Sequence, residues 1–167
     1  MSGVQVAGRS RSLVRLGLAT AAVWMVLDQV TKWLILDLVM QPPRVIEVTS
    51  FFNLVMAWNR GVSFSLFSHE AAVMPYLLSA LALAIAGFLL TWLRRVDRPF
   101  PAVCLGLVIG GAIGNVIDRL RFGAVADFLD FHLWGYHYPA FNVADMGISV
   151  GVLLLVLDGL FGGRRDG

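Results

Sequence analysis

The sequence predicts an all-α membrane protein, a bundle of four transmembrane helices with a small β-structure on its outer side. Three observations carry that expectation. Hydrophobic residues make up 58% of the 167 and charged residues only 14%, with a mean hydropathy of +0.77. Soluble domains average about 45–50% apolar and about 25% charged residues, and a domain this small cannot hide such an excess in its interior. Four apolar runs approach the roughly 20 residues a helix needs to cross a bilayer core. The charges segregate into two sets of loops, one basic and one acidic.

The four runs lie at about 14–36, 71–93, 102–117 and 141–161, within a single integral membrane domain covering 1–167. The first is interrupted by Asp28 and Lys32, and the third is short. Arg9, Arg11 and Arg15 followed by Ala19-Thr20-Ala21 resemble the start and cleavage site of a secretory signal. Too few residues separate Arg15 from Ala19 for an apolar signal core, and the apolar run continues, so the segment is read as a retained helix. The N-terminus, the loop with Arg94, Arg95 and Arg98, and the C-terminus hold eight basic residues against three acids. The other side holds five basic residues against eight acids. The positive-inside bias then puts both termini in the cytoplasm and the acidic loops outside.

The outer loops are more than connectors. Residues 44–59 are rich in β-branched and aromatic types and read as a short strand pair, which must sit at or above the membrane surface because a sheet edge cannot face hydrocarbon. Residues 121–139 carry Phe122, Phe128, Phe131, Trp134, Tyr136 and Tyr138 among polar neighbours, the composition of a segment lying in the interface. Gly106, Gly110 and Gly114 recur every four residues and mark a helix face that packs closely on a neighbour.

Composition also limits the chemistry. The net charge of +2 comes from short clusters flanking apolar runs, so no nucleic-acid partner is expected. The one cysteine, Cys104, sits in an apolar run, which excludes a disulfide framework and disfavours a thiolate nucleophile. His69, His132 and His137 lack helical metal-ligand spacing, so neither metal nor cofactor is expected. Ionisable groups gather at the outer ends of the spans, where each needs a partner or a role. Asp28 and Lys32 are four apart on one helix face and can neutralise each other. Asn115, Asp118 and Arg119 end the third span, and Asp118 has Arg119 beside it as a cation. Asn142 and Asp145 open the fourth span, and Asp127 lies in the connection between those two spans.

Asp127 and Asp145 are thus left without an adjacent cation. Two close carboxylates share a proton and can act as base and acid toward a water attacking an amide. Asp145 could instead be a carboxylate seated at a helix N-terminus. Other readings stay open: a serine nucleophile at Ser63 or Ser65 with Lys32 as base, a small proton-coupled transporter, or a structural membrane subunit.

Five blocks resemble the lipoprotein signal peptidase (signal peptidase II) family in its order. They are Asp28-Gln29-Val30-Thr31-Lys32, Asn59-Arg60-Gly61-Val62-Ser63-Phe64-Ser65, Gly110 to Arg119, Val125-Ala126-Asp127-Phe128, and Ala140-Phe141-Asn142-Val143-Ala144-Asp145. The resemblance implies a four-helix bundle with an outer β-cradle and an interfacial helix. It implies an aspartic endopeptidase with Asp127 and Asp145 as the catalytic pair. It also implies that Asp28, Lys32, Asn59, Gly61, Asn115, Asp118, Arg119 and Asn142 support the site or contact substrate. The implied substrate is a prolipoprotein bearing a diacylglyceryl cysteine, cut just before that cysteine, with membrane lipid as the other partner. The implied setting is the bacterial plasma membrane, with a monomer whose site faces the periplasm. The pattern is looser at Arg60 and Ser63, and Asp130 is assigned no role.

Overall fold

The structure, a computed structural model, describes residues 2–61 and 70–161, and the side chains of 10–61 and 73–161. Ser63, Ser65 and His69, raised above as candidate groups, lie outside the described residues, as do Arg164, Arg165 and Asp166 of the basic C-terminus. Four long helices and a four-stranded sheet make up the described chain. In order they are α1 (Ser2–Trp33), β1 (Ile46–Thr49), β2 (Phe52–Asn59), α2 (Glu70–Leu93), α3 (Pro99–Phe122), β3 (Val125–Leu133), β4 (Tyr136–His137) and α4 (Val143–Phe161). Each helix contains a stretch long and apolar enough to cross a membrane.

α3 is the buried helix. Of its most apolar window 72% lies inside the protein, against 22% for α1, 22% for α2 and 17% for α4. Glycine makes that centrality possible on the side facing α1. A Cβ at Gly106 would lie 2.5 Å from the Gly17 carbonyl oxygen, and one at Gly110 would lie 2.5 Å from that of Ala21. A Cβ at Gly114 would stand 2.5 Å from the Asp28 carboxylate. The four-residue spacing therefore holds the backbones of α1 and α3 close, and brings a buried carboxylate against α3. α3 extends beyond the apolar run at 102–117 in both directions. Pro99 opens it, and Gly123 closes it at φ 68° with its N–H donating to Arg119 O at 3.0 Å.

Leu13, Leu89, Leu93, Leu105 and Ile109 form the core where the helices meet. The outer faces carry exposed Val23, Leu81, Phe88 and Leu153, as expected where the surrounding solvent is lipid.

Beyond Trp33, α1 continues as a π-helical turn, Leu34–Val39, and Ile35, Met40 and Phe128 form a second core under the sheet. The sheet is antiparallel in the order β1-β2-β3-β4. β1 and β2 occupy the segment whose composition reads as a strand pair. The aromatic segment 121–139 does not form the interfacial helix that the resemblance implies: it contributes the end of α3, then β3 and β4. Its alternation explains why, since Asp127, Leu129 and Phe131 line one face and Ala126, Phe128 and Asp130 the other. Trp134 (φ 51°) and Gly135 (φ 82°) make the two-residue turn between β3 and β4, where consecutive positive φ values match strand twist. Phe141, just before α4, pairs with Leu129: its N–H donates to Leu129 O at 3.1 Å and its carbonyl accepts from Leu129 N at 2.9 Å. That pairing ties the start of α4 to the strand carrying Asp127.

Gly110 and Gly159 test the close approach of α1 and α3. Gly110→Ala should lower thermal stability by about 1–3 kcal/mol through overpacking against α1. Gly159→Ala, with nothing within 4 Å of the added Cβ, should be neutral or stabilising. Equal stability of the two variants in a thermal unfolding measurement would contradict that packing.

Candidate active site

The site grows from the outer end of α1. Lys32 is buried and donates to three acceptors: Asp28 Oδ2 at 2.9 Å, Asp118 Oδ2 at 2.8 Å and Asn115 Oδ1 at 3.2 Å. Asp28 follows from its four-residue spacing on α1, whereas Asp118 and Asn115 come across from α3. The expected Asp118–Arg119 pair does not form. Adjacent helical side chains diverge by about 100°, so Asp118 turns inward to Lys32 while Arg119 shares a face with Asn115, four residues back. The Ala126 N–H also donates to Asp118 Oδ2 at 3.1 Å, fixing the start of β3.

Gln29 completes this cluster and was not singled out in the sequence. Its Nε2 donates to Asp28 Oδ2 at 3.1 Å, Gly114 O at 3.2 Å and Asp118 Oδ1 at 3.1 Å. The only signal for it was a polar amide inside an apolar run, next to Asp28.

From Lys32 the network passes through two asparagines to Asp127 and Asp145. Asn115 Nδ2 donates to Asp145 Oδ1 at 2.8 Å. Asn142 Nδ2 donates to Asn115 Oδ1 at 3.2 Å and to Asp127 Oδ1 at 2.6 Å. Asn142 and Asp145 also cap each other at the start of α4. The Asp145 N–H donates to Asn142 Oδ1 at 3.0 Å, and the Asn142 N–H donates to Asp145 Oδ2 at 3.2 Å. This is a reciprocal capping box, so part of the Asp145 geometry serves the helix end. Asp127 lies between α3 and α4 as the sequence suggests, on β3, and the pairing of Phe141 with Leu129 brings it to Asn142.

Burial pushes the Asp127 carboxyl up to about 6, and the nearby charge of Asp145 adds to the rise. Hydrogen bonds from Asn59 and Asn142 and the charge of Lys32 pull it back only in part. The sequence reading left Asp127 and Asp145 without an adjacent cation, but tertiary packing brings cations into electrostatic range of both. The Arg119 guanidinium acts electrostatically on Asp145 and Asp127, lines a cavity with Asp145, and leaves its Nε buried without a partner. Asn59 reaches Asp127 from β2, where Ala57 and Asn59 stand opposite Asp127 and Val125. Gly61 lies further out: its N–H donates to Asn59 Oδ1 at 2.9 Å and its positive φ of 95° turns the chain against Leu78.

Two largely apolar cavities share Asp145 in their lining. One, of about 300 Å³, lies among α2, α3 and α4 and is lined by Leu78, Leu81, Ile85 and Ile148 with Asn115, Arg119 and Asp145. The other, of about 580 Å³, lies between the sheet and α4 and includes Leu129, Phe131, Phe141 and Met146. A chain with apolar groups on both sides of a polar amide fits that arrangement.

Asp130 and the described histidines stand apart. Asp130 is on the opposite face of β3, held by Asn53 Nδ2 at 3.0 Å and His137 Nδ1 at 2.8 Å, and His132 stacks on His137. Burial raises the Asp130 carboxyl, but its bonds to His137 and Asn53 outweigh that and hold it below the usual carboxylate range.

The chain is similar to known proteins over most of its length. A family model described as Signal peptidase (SPase) II matches residues 20–161. A lipoprotein signal peptidase of Ralstonia nicotianae is 45% identical over 149 residues, 89% of this chain and 86% of that one. One from Azoarcus sp. is 46% identical over 150 residues, 89% of this chain and 84% of that one. A solved bacterial membrane enzyme superposes with a TM-score of 0.75 at 28% identity, covering 90% of this chain and 91% of that one.

The raised Asp127 carboxyl has a stability consequence with a definite sign. The folded protein holds this proton up to about 6, whereas the unfolded chain loses it near 3.8, so ionisation above pH 6 destabilises the fold. At about 1.4 kcal/mol per pH unit the full effect is roughly 3 kcal/mol. Asp127→Asn should therefore raise the unfolding temperature at pH 8 and leave it nearly unchanged at pH 3.5. A variant less stable than the parent at pH 8 would contradict this.

Proposed function

The chain belongs to the signal peptidase II family, and on that premise we propose that Asp127 and Asp145 are the pair that carries its reaction. The protein is a bacterial membrane endopeptidase of the aspartic class that removes signal peptides from prolipoproteins. The observation that supports the assignment is Asn142, which bonds the Asp127 carboxylate and, through the helix cap, the Asp145 carboxylate. Asp127 keeps its proton up to about 6, so at mildly acidic pH it can supply the acid of the pair. The ionised carboxylate takes a proton from water as the water oxygen attacks the amide carbon. The protonated carboxyl gives its proton to the leaving nitrogen, and no covalent intermediate forms.

Asp28, Lys32, Gln29, Asn115, Asp118 and Asn142 hold the pair in place in this reading. Arg119 and Asn59 face the reacting centre, and Gly61 shapes the rim through Asn59. The substrate is a diacylglyceryl-modified prolipoprotein cut before its lipidated cysteine. Its signal helix and acyl chains occupy the two apolar cavities that meet at Asp145. Charge asymmetry supports cytoplasmic termini and a site at the outer face of the plasma membrane, where water reaches the scissile amide. All the groups come from one chain, which supports a monomer. Family membership sets aside the transporter and structural-subunit readings.

Cleavage of a lipidated prolipoprotein peptide in detergent micelles tests the assignment. Asp127→Asn and Asp145→Asn should each lose at least about 10²-fold in kcat, with the double variant little worse than either single. Asp130→Asn should keep most activity. The parent rate should fall as pH rises through about 6, where the Asp127 proton is lost. Robust cleavage by either single variant would overturn the pair.

A further inference from the structure

We propose that Trp24 is a positioning residue for the reaction, acting through the first peptide of α4, and that Gly147 is the complementary space it requires. The proposal rests on the reading of Asp127 and Asp145 as the catalytic pair.

Trp24 lies one helical turn before Asp28, on the same face of α1. Its indole Nε1 donates to the Val143 carbonyl at 3.0 Å. Asp28 Oδ1 accepts from the Ala144 N–H at 2.8 Å. The Val143 carbonyl and the Ala144 N–H are the two polar ends of one peptide group. Two neighbouring residues of α1 thus grip a single peptide plane from both ends, which fixes its rotation as well as its position. That plane separates Asn142, which bonds Asp127, from Asp145. A tilt of the plane would move Asn142 and Asp145 in opposite directions.

Gly147 shows that this contact has shaped α4. A Cβ there would collide with the Trp24 ring, lying 2.5 Å from Cδ1 and closer still to Nε1. Gly147 is buried in the interior of α4, where glycine is disfavoured relative to alanine. Its backbone does not need a positive φ. The indole is therefore what the missing side chain accommodates. Asp28 is itself held by Lys32 and Gln29, so of the two grips the Trp24 bond is the one that can be removed without breaking the buried charge cluster.

The test uses the full chain in micelles with a lipidated prolipoprotein peptide. Trp24→Phe keeps an apolar ring and removes the donor. It should lower kcat about 3–10-fold, the scale of one lost hydrogen bond, with KM within about twofold. Gly147→Ala, which displaces the indole, should give a comparable kcat loss, and the double variant should be no worse than Gly147→Ala alone. Parental kcat in Trp24→Phe overturns the proposal, as does a loss carried by KM, which would make Trp24 a substrate contact. Additivity of the two substitutions also decides against it, and if Trp24→Phe does not fold, an unchanged kcat in Gly147→Ala does so. Asp145→Asn is assayed alongside. An inactive Asp145→Asn with unaffected Trp24→Phe removes only the positioning role, whereas an active Asp145→Asn removes the catalytic pair itself.

Discussion

The buried ammonium of Lys32 is the constraint from which the rest of the site follows. An ion taken from water costs several kcal/mol, and Lys32 is offset by the carboxylates of Asp28 and Asp118 and by the Asn115 carbonyl oxygen. Because an ammonium only donates, the oxygen end of the Asn115 amide must face it. The amino end of Asn115 is then obliged to face Asp145, at 2.8 Å. The same oxygen also accepts from Asn142, whose amino group therefore points back toward Asn115 and Asp127, leaving its oxygen to cap Asp145. One positive charge on α1 thus sets the polarity of two amides and, through them, the seats of two aspartates contributed by β3 and α4.

This arrangement depends on the helices being close. Glycines on α3 let the α1 backbone approach within contact distance and put Asp28 against Gly114. The sheet does the complementary work, since the bonds between Phe141 and Leu129 carry the first residue of the α4 cap to the strand that holds Asp127. In the proposed reading Asp145 serves both as a helix cap and in the reaction. The capping box keeps its carboxylate at the helix entrance, and both apolar cavities include it in their lining.

Local patterns made much of this legible. Four long apolar runs marked the helices, the richness in β-branched and aromatic residues at 44–59 marked β1 and β2, and the four-residue spacing of Asp28 and Lys32 marked their pairing. Sequence adjacency misled at Asp118 and Arg119, because neighbours on a helix point to different faces. Asp127 lies between the third and fourth spans as read, but its seat on β3 depends on pairing with Ala57, far along the chain, and on the bridge at Phe141. Gln29 and Trp24 escaped notice because their partners, Gly114, Asp118 and Val143, are brought to them only by tertiary packing. The residues whose meaning is set by spacing within one helix were readable, and those whose meaning is set across helices were not.

The most direct test of the central claim is thermal unfolding of Lys32→Met, measured together with its cleavage rate. Removing the cation leaves Asp28 and Asp118 buried and uncompensated, a loss of about 3–5 kcal/mol. It also frees the Asn115 amide to rotate, so stability and activity should fall together. A variant that unfolds at the parent temperature yet cleaves nothing would contradict the account, because Lys32 would then act in the reaction itself and not as the anchor of its frame.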